Sequence, residues 1–289
     1  MKQMKKKNYI LIFLGILAGL NIFAWIAVFD FNQQKFLEVT FFDIGQGDSI
    51  FIETPQSHQI LIDGGTDGTV LEKLSKEMPF WDRTIDLIIL THPEKDHLTG
   101  LIEVLKRYKV ENVLWTGIIR DTAEYKEWER LIGEEKAKIF IAEAGQKVIT
   151  QKSIFQILYP FKNLAGEEFK DSNNTSIVAK LVFGENSFLF TGDIYKSTEK
   201  EILQKEVDID SDILKIAHHG SKTSSAEEFI EKVSPQYAVI LVGKDNYYGH
   251  PHQETLDTLE KYDINVLRTD REGDVKILSD GRSLRILNF

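Results

Sequence analysis

One short stretch constrains the fold more than any other: an apolar run that leads directly into a cluster of histidines and carboxylates. Residues 85–90 are almost continuously apolar, which predicts a buried strand, and apolar side chains recur at helical spacing after the cluster. The turn between holds His92, Glu94, Asp96 and His97. These side chains are ligands for zinc, manganese or iron, and loops at strand ends commonly present reactive groups. A solvated loop in which Asp96 caps the helix is the alternative, but this density of ligands favours a metal site.

The distribution of histidines supports the metal interpretation. Six of the seven fall in three pairs, each just after a strand-like run or a short loop from one. Scattered core or surface histidines would not cluster in this way. Asp193, in a Gly-Asp turn after another strand-like run, is the carboxylate that would join them, whereas we interpret His58 as a surface residue. The three pairs are His92 and His97, His218 and His219, and His250 and His252.

The composition limits the chemistry and the domain count. A chain of 289 residues that is 42% hydrophobic can bury a full core. The absence of cysteine excludes disulfides, a thiolate nucleophile and a Cys-ligated metal. No internal repeat, low-complexity segment or linker follows residue 35. We therefore predict one compact domain over residues 31–289.

Residues 1–30 form a separate segment. A lysine cluster precedes Tyr9 to Phe29, an uncharged run that is long enough to cross a bilayer as a helix. A cleavable signal peptide would have a shorter apolar core and a small-x-small cleavage site, which residues 18–20 and 24–27 match poorly. We therefore predict a cytoplasmic lysine-rich tip and an uncleaved transmembrane anchor. The position of the lysines predicts a single-pass protein of the cell membrane whose catalytic domain is extracellular.

The charge of the remaining chain restricts its partners. Of the 35 basic and 45 acidic side chains, four lysines and one aspartate lie in residues 1–30, which leaves residues 31–289 at a net charge of about −13. A strongly acidic domain is a poor general binder of polyanions. A nucleic-acid substrate would have to be held by a local basic strip or by metal ions.

Strand-like and helix-like patterns recur along residues 31–289. The last two strand-like runs, residues 266–269 and 275–278, flank Arg271 to Asp274 and predict a hairpin. The other predicted strands are residues 36–42, 50–52, 59–62, 154–159, 177–183, 187–190, 213–217 and 237–242, and the predicted helices are residues 121–136, 197–205 and 226–233.

Six motifs in order carry a resemblance to a known family. The segment from His92 to His97 resembles the His-x-His-x-Asp-His signature of the metallo-β-lactamase superfamily. Within it, the sequence resembles the extracellular hydrolase domain of the ComEC competence proteins and, more loosely, the secreted phosphorylcholine esterases. The channel helices and the oligonucleotide-binding domain of ComEC proteins have no counterpart in the sequence, so we expect a single anchored hydrolase domain. The further motifs are residues 42–49, 61–65, 191–193, 218–221 and 248–252, with residues 268–273 also matching.

The resemblance implies an α/β (α+β) fold, a four-layer αββα sandwich preceded by one transmembrane helix, with one or two divalent metal ions, zinc or manganese, at one edge. His92 and Glu94 would serve one ion. Asp96, His97 and either His218 or His219 would serve the other, and Asp193 would bridge the two. Asp63 and Asn174 would support the ligands from behind. Asp96, His250 and His252 would be the catalytic residues, and His250 and His252 would reach the substrate side or complete a coordination sphere.

Two departures from the superfamily pattern affect the first ion. Glu94 stands where the superfamily usually has histidine, and residues 173–176 occupy the region of the usual third-motif histidine. Both changes make the first site harder and weaker, so manganese competes with zinc and a singly loaded site stays open.

The leading function is a membrane-anchored, outward-facing, metal-dependent phosphodiesterase or nuclease that acts on DNA. Two cations lower the pKa of a bridging water and stabilise charge on phosphoryl oxygen, so no Ser or Cys nucleophile is needed. Ester or amide hydrolysis stays open. The expected partners are the membrane, through the N-terminal helix, and single-stranded DNA or another phosphodiester polymer. The alternatives are a cell-wall polymer phosphodiesterase of the phosphorylcholine esterase type and a non-enzymatic surface module with a degenerate metal site.

Overall fold

The computed structural model describes residues 11–25, 36–150 and 152–288, and the chain divides into two units, Met1–Lys35 and Phe36–Phe289. In the first unit, residues 11–25 are helical (α1). Within the described ranges, no helix combines the length and the apolar character needed to cross a membrane. The predicted anchor, Tyr9 to Phe29, begins and ends outside the described residues.

The second unit contains two β-sheets. An eight-stranded sheet has the order β15-β14-β1-β2-β3-β4-β5-β6, and a seven-stranded sheet has the order β13-β12-β11-β10-β9-β8-β7. The strands are β1 (Leu37–Phe41), β2 (Ile50–Glu53), β3 (Gln59–Ile62), β4 (Thr84–Leu90), β5 (Lys109–Trp115), β6 (Lys138–Ile141), β7 (Lys147–Ile149), β8 (Ser153–Tyr159), β9 (Val178–Phe183), β10 (Asn186–Phe190), β11 (Ile213–Lys215), β12 (Tyr237–Ile240), β13 (Asn265–Arg268), β14 (Val275–Ser279) and β15 (Leu284–Asn288). The helices are α2 (Thr69–Glu77), α3 (Lys95–Leu105), α4 (Ala123–Glu135), α5 (Lys196–Gln204), α6 (Glu227–Val233), α7 (Gln253–Lys261) and α8 (Thr269–Glu272).

Three hydrophobic clusters separate four layers. The central cluster fills the space between the sheets, and strand alternation supplies it: Ile50 and Ile52 of β2 point into it, whereas Phe51 points outward. A second cluster packs α2, α3 and α4 on the eight-stranded sheet, with Trp128 of α4 fully buried. A third packs α5, α6 and α7 on the seven-stranded sheet. The predicted αββα sandwich is confirmed.

The candidate ligands follow the carboxyl ends of strands that share one direction in each sheet. Strands β3 to β6 are parallel to one another, and so are β10 to β13. The loop after β4 carries the segment from His92 to His97, and the loops after β10, β11 and β12 carry Asp193, the pair His218 and His219, and His250. The carboxyl ends of parallel strands are the usual place for ligands in α/β folds.

The predicted C-terminal hairpin is wrong. β13 pairs with β12 in the seven-stranded sheet, whereas β14 pairs with β1 and β15 in the eight-stranded sheet. The short helix α8 separates them. Asp274, just before β14, accepts hydrogen bonds from the Asp43 amide and from Lys73 Nζ, both at 2.7 Å. These contacts fix the start of β14 to the first sheet, so the chain crosses between sheets at this turn.

Candidate metal centre

Close backbone approaches around the start of α3 assemble the site. A Cβ added at Gly100 would lie 1.8 Å from the Gly64 carbonyl oxygen, and one added at Gly47, whose φ is +114°, would lie 2.1 Å from the Asp96 carbonyl oxygen. Only glycine permits these approaches. The Asp48 amide also donates to the Asp96 carbonyl at 3.2 Å. The loops after β1 and β3 are therefore held against the first turn of α3.

Four side chains converge at the edge of the sandwich. His97 Nε2 lies 3.3 Å from Asp193 Oδ2 and 3.9 Å from Asp96 Oδ1. His219 Nε2 lies 3.3 Å from the same Asp193 oxygen and 3.4 Å from Asp96 Oδ2. One ligand atom from each of the four lies within 4.8 Å of the others. Two imidazoles and two carboxylates at this spacing are a donor set for a divalent cation.

The rings of His97 and His219 are oriented as metal ligands. His97 Nδ1 lies 2.9 Å from Asp63 Oδ2, and His219 Nδ1 lies 2.9 Å from the Leu241 carbonyl oxygen. A carbonyl only accepts, so His219 Nδ1 donates, and Nε2 is directed to the cluster. Both Nε2 atoms are buried and meet no hydrogen-bond geometry, and the atoms that face them are the carboxylate oxygens of Asp193 and Asp96. An acceptor behind the other ring nitrogen is the usual arrangement around metal-bound histidine.

His92 is oriented in the same way, but here two hydroxyl oxygens are the acceptors behind the ring. Its Nδ1 lies 3.0 Å from Thr91 Oγ1 and 3.1 Å from Ser176 Oγ. Thr91 Oγ1 donates its hydrogen to Asp63 and Ser176 Oγ donates to the Asn173 carbonyl, both at 2.6 Å. Because each hydroxyl has one hydrogen, both accept from His92 Nδ1. His92 Nε2 is therefore unprotonated, and it too is buried without a partner. Burial lowers the pKa of His92 to about 3, which keeps the ring neutral.

A buried lysine offsets acidic charge behind the cluster. Lys215 Nζ contacts Asp48 Oδ2, donates to the Gly192 carbonyl at 2.8 Å and lies 3.4 Å from Asp193 Oδ1. Burial alone would lower the pKa of Lys215, but the carboxylates of Asp48 and Asp193 raise it, so the lysine is charged.

The carboxylates and histidines of the cluster shift each other's pKa values in opposite directions. Burial alone would raise the pKa of Asp193, but His219, His97 and Lys215 hold it well below its usual range. Burial alone would lower the pKa of His97 and of His219, but Asp193 is the foremost group that raises both well above the usual value. Without a metal the two histidines therefore carry protons that a metal would displace.

Glu94, predicted as a ligand, is engaged by a different group. Its Oε1 lies 2.8 Å from Arg120 Nη2 and accepts a hydrogen bond from Ser172 Oγ at 2.5 Å. Arg120 is held in turn, because Nη1 donates to the carbonyls of Phe169 at 2.7 Å and Lys170 at 2.8 Å. Glu94 lines the same pocket as the cluster but is not among its four converging groups.

The structure shows which of two adjacent histidines enters the cluster, a choice that the sequence left open. His218 and His219 are consecutive residues in the left-handed region, with φ of 50° and 54°. Such backbone costs of order 1–3 kcal/mol per residue and is found at functional sites. The turn directs His219 into the cluster and leaves His218 at the pocket wall, where its Nδ1 lies 3.2 Å from Thr223 Oγ1.

Asn174, predicted to support the ligands, is not brought to the cluster. Its Oδ1 accepts from the Tyr195 amide and from Thr198 Oγ1, both at 2.9 Å, so it fixes the start of α5. Asn173 lines the pocket instead, and its Nδ2 donates to the Tyr195 hydroxyl at 3.0 Å. Asp63 does lie behind the cluster, where it contacts Thr91 and His97.

His250 reaches the pocket and His252 does not. The His250 ring lies 6.2 Å from the His219 ring and 5.5 Å from the His218 ring, between centroids. Its Nδ1 is buried without a partner, and burial lowers its pKa to about 4, so the ring is neutral. His252 lies behind it, and its Nδ1 accepts from the Lys222 amide at 3.2 Å.

Comparison with known proteins agrees with this geometry. Residues 42–244 match the metallo-beta-lactamase superfamily. The chain belongs to that superfamily. A solved relative, the metallo-beta-lactamase fold protein YhfI of Bacillus subtilis, superposes with a TM-score of 0.56 at 12% identity, over 83% of this chain and 99% of that one, and shows the fold alone. Members of the superfamily are generally metal-dependent hydrolases, and the donor set described above fits a divalent cation.

The resemblance to competence proteins is confirmed. ComE operon protein 3 of Bacillus subtilis (strain 168) is 35% identical over an alignment of 257 residues that covers 83% of this chain and 32% of that protein. Competence protein ComA of Neisseria gonorrhoeae is 30% identical over an alignment of 239 residues that covers 81% of this chain and 31% of that protein. The chain spans about a third of the length of these curated relatives.

Three residues of this superfamily member's site escaped the sequence analysis. Asp48 lies in a Gly-Asp turn of a kind that is more often structural than functional. Lys215 is a lone charge in the apolar strand β11, immediately before the histidine pair, and that contrast was a usable signal. Arg120 follows β5 in a loop whose sequence carries no motif, so its contact with Glu94 had no signal in the sequence.

Proposed function

We propose that this chain is a metal-dependent phosphodiesterase of the ComEC type. The observation that carries the proposal is the set of buried, unpartnered Nε2 atoms of His92, His97 and His219 beside the carboxylates of Asp96 and Asp193. A buried imidazole nitrogen with no polar partner, as at His92, is costly in a purely structural site, and the Nε2 atoms of His97 and His219 face the same two carboxylates. A degenerate surface module would have no reason to keep them.

The ligand roles follow from the contacts. Asp96, His97, Asp193 and His219 would hold one ion, and His92, with Glu94 if it leaves Arg120, would hold a second. A bound divalent cation supplies Lewis-acid stabilisation of a phosphoryl oxygen and an activated water nucleophile. Zinc or manganese suits this mixed nitrogen and oxygen set.

The chain's own groups position the substrate around the ions. The pocket has a volume of about 320 Å³, and Arg120, Lys170 and His250 are among the residues that line it. Lys170 is a cation that can hold a non-reacting phosphate oxygen, and Arg120 can do so through the N–H groups that Glu94 and the two backbone carbonyls leave free. Neutral His250 presents an unpartnered nitrogen that can hydrogen-bond a substrate oxygen. Cationic groups beside a carboxylate-rich centre favour a phosphodiester over an amide substrate.

DNA is the proposed polymer, and the membrane the proposed location. The competence relatives and the ordered motifs support DNA, and the lysine cluster before the apolar run Tyr9 to Phe29 supports an anchor with the hydrolase domain outside the cell. The acidic balance of residues 31–289 favours the second candidate, a phosphodiesterase of cell-wall polymers, because a net charge of about −13 repels polyanions.

The test uses the full chain in detergent, loaded separately with zinc and with manganese. We expect cleavage of single-stranded DNA that falls steeply with salt, as phosphate contacts weaken. An Asp193→Asn variant, which keeps the side-chain shape, should be inactive. Hydrolysis of a choline-bearing wall polymer with DNA left intact would support the second candidate. A metal-loaded protein that cleaves no phosphodiester would overturn both.

A further inference from the structure

A loop beside the metal centre presents two tyrosines to solvent. Tyr247 is fully exposed and Tyr248 is 66% exposed, in the segment between β12 and α7. Asn246 holds this loop closed: its Nδ2 donates to the carbonyls of Gly243 and His250, and its Oδ1 accepts from the His250 amide, all at 2.9 Å. Exposed aromatic side chains on a fixed loop are candidates for ligand contact.

The loop continues a series of nearly parallel rings that begins in the metal centre. The His219 and His250 rings lie 6.2 Å apart with an interplanar angle of 29°, and the His250 and Tyr248 rings lie 5.6 Å apart at 20°. These spacings are those of offset stacking. Because Tyr248 lines the pocket and is largely exposed, its ring can accept a further planar group close to the cluster.

The same pocket also carries cations. Arg120 and Lys170 line it together with Tyr248. A substrate that combines anionic phosphates with planar, uncharged rings matches both the cations and the exposed tyrosine ring of this pocket. Single-stranded nucleic acid has this combination, because its unpaired bases expose their faces, whereas bases in a duplex are stacked on both sides.

We propose that Tyr248 stacks a nucleobase next to the phosphodiester held at the metal centre, which makes the site selective for single-stranded nucleic acid. The proposal rests on the proposed phosphodiesterase function and specifies its substrate. A quaternary ammonium group could also bind over tyrosine faces, and the test distinguishes it.

The experiment compares two oligomers of equal length and charge, single-stranded DNA and an abasic deoxyribose-phosphate strand. We expect Tyr248→Ala in the full, metal-loaded chain to raise KM for DNA about tenfold with kcat little changed, the usual effect of losing one base–aromatic stack. KM for the abasic strand should not change. Tyr248→Trp should restore the wild-type KM. Trp81→Ala is the matched control, because Trp81 is also an exposed aromatic, at 73%, and does not line the pocket.

A second readout does not depend on catalysis. A 2-aminopurine base in the bound DNA should lose fluorescence on stacking with the wild type but not with Tyr248→Ala. Equal KM values for DNA and the abasic strand, both unaffected by Tyr248→Ala, would overturn the platform and leave the phosphodiesterase function standing. Fluorescence loss without cleavage of either strand would support the platform and contradict the phosphodiesterase. Hydrolysis of a choline phosphodiester alone, with KM raised by Tyr248→Ala, would assign the platform to a quaternary ammonium and overturn the nucleobase proposal.

Discussion

Two carboxylates in one loop, Asp96 and Glu94, have different surroundings. Asp96 faces His219 Nε2 at 3.4 Å, within a group of four converging ligands. Glu94, two residues earlier, is paired with Arg120 at 2.8 Å and bonded to Ser172. The Asp96 side is therefore organised for a cation before one binds. Glu94 is committed to an ion pair with which a cation would have to compete. His92, the histidine proposed to share a second cation with Glu94, presents a buried Nε2 without a partner.

The Glu94–Arg120 pair explains how glutamate, in place of the usual superfamily histidine, changes metal binding. A histidine at position 94 could not form an ion pair with Arg120 while neutral, so it would be free to bind metal. With glutamate at this position, a metal ion can bind here only if Glu94 first releases Arg120. Arg120 is itself fixed by two backbone carbonyls. We therefore expect one strong ion at the Asp96 side and one weaker ion at the Glu94 side.

Removing Asp193 should have the largest effect. Its Oδ2 lies 3.3 Å from both His97 Nε2 and His219 Nε2, so Asp193→Ala deletes the group shared by the strong site. We expect loss of the tightly bound ion and of detectable hydrolysis, measured by elemental analysis and by turnover. Asp121→Ala, at an exposed carboxylate paired with Lys126, should change neither. If Asp193→Ala kept its full metal content, the distinction between a strong site at Asp96 and a weaker site at Glu94 would be wrong.

Proton release on metal binding should be the second largest effect, after the loss of metal in Asp193→Ala. The pKa values of His97 and His219 are raised well above the usual value, chiefly by Asp193 against the opposing effect of burial. These shifts favour the protonated rings in the metal-free protein, so metal binding should release up to about two protons. Metal affinity should therefore increase with pH, by up to ~100-fold per pH unit over the range in which both rings are protonated. Calorimetry in buffers of different ionisation enthalpy measures this. A pH-independent affinity would contradict it.

The same pKa shifts make the stability of the metal-free protein change with pH in the opposite direction to the metal affinity. A raised histidine pKa contributes stability that is present below the unfolded value of 6.5 and is lost as the pH rises through the folded value. The lowered pKa of His92, about 3, instead costs stability as the pH falls from 6.5 toward 3.

Asp63 should have a smaller effect, because it acts through His97. It accepts from the Thr91 amide and hydroxyl and lies 2.9 Å from His97 Nδ1. Asp63→Asn should weaken metal binding by about 10–100-fold, the usual effect of losing the group behind a metal-bound histidine. Competition with a chelating dye gives the affinity. Asp86→Asn, at a carboxylate remote from the cluster, is the control. An unchanged metal affinity in Asp63→Asn would show that Asp63 does not support metal binding through His97.

Changing Glu94 should have the smallest effect on the strong ion. Glu94→His should move the second ion's preference toward zinc, by roughly tenfold or less in the zinc-to-manganese affinity ratio. Glu94→Gln, which keeps the length without the charge, should weaken only the second ion. Elemental analysis after loading with mixed metals distinguishes the two variants. Complete loss of metal in Glu94→Gln would show that the two sides are not independent.

The sequence predicted the layers and the ligand-bearing loops because both depend on local patterns. The apolar run of β4 and the helical spacing of α3 identify the turn that carries His97. Nothing local distinguishes His218 from His219, since the choice depends on two consecutive left-handed residues. The pairing of β13 and β14 was mispredicted because short strands around a turn resemble a hairpin whichever sheets they enter. Arg120 reaches Glu94 only through tertiary packing, and that contact decides how the two sides of the site differ.

The most direct test is anomalous X-ray diffraction from crystals of the zinc-loaded full chain. We expect one strong peak about 2.0–2.2 Å from His97 Nε2, His219 Nε2 and oxygens of Asp96 and Asp193, the usual zinc–ligand distances. A second, weaker peak is expected only near His92 and Glu94. A strong peak at His218 or His250, or zinc bound elsewhere with none among these four side chains, would contradict the account.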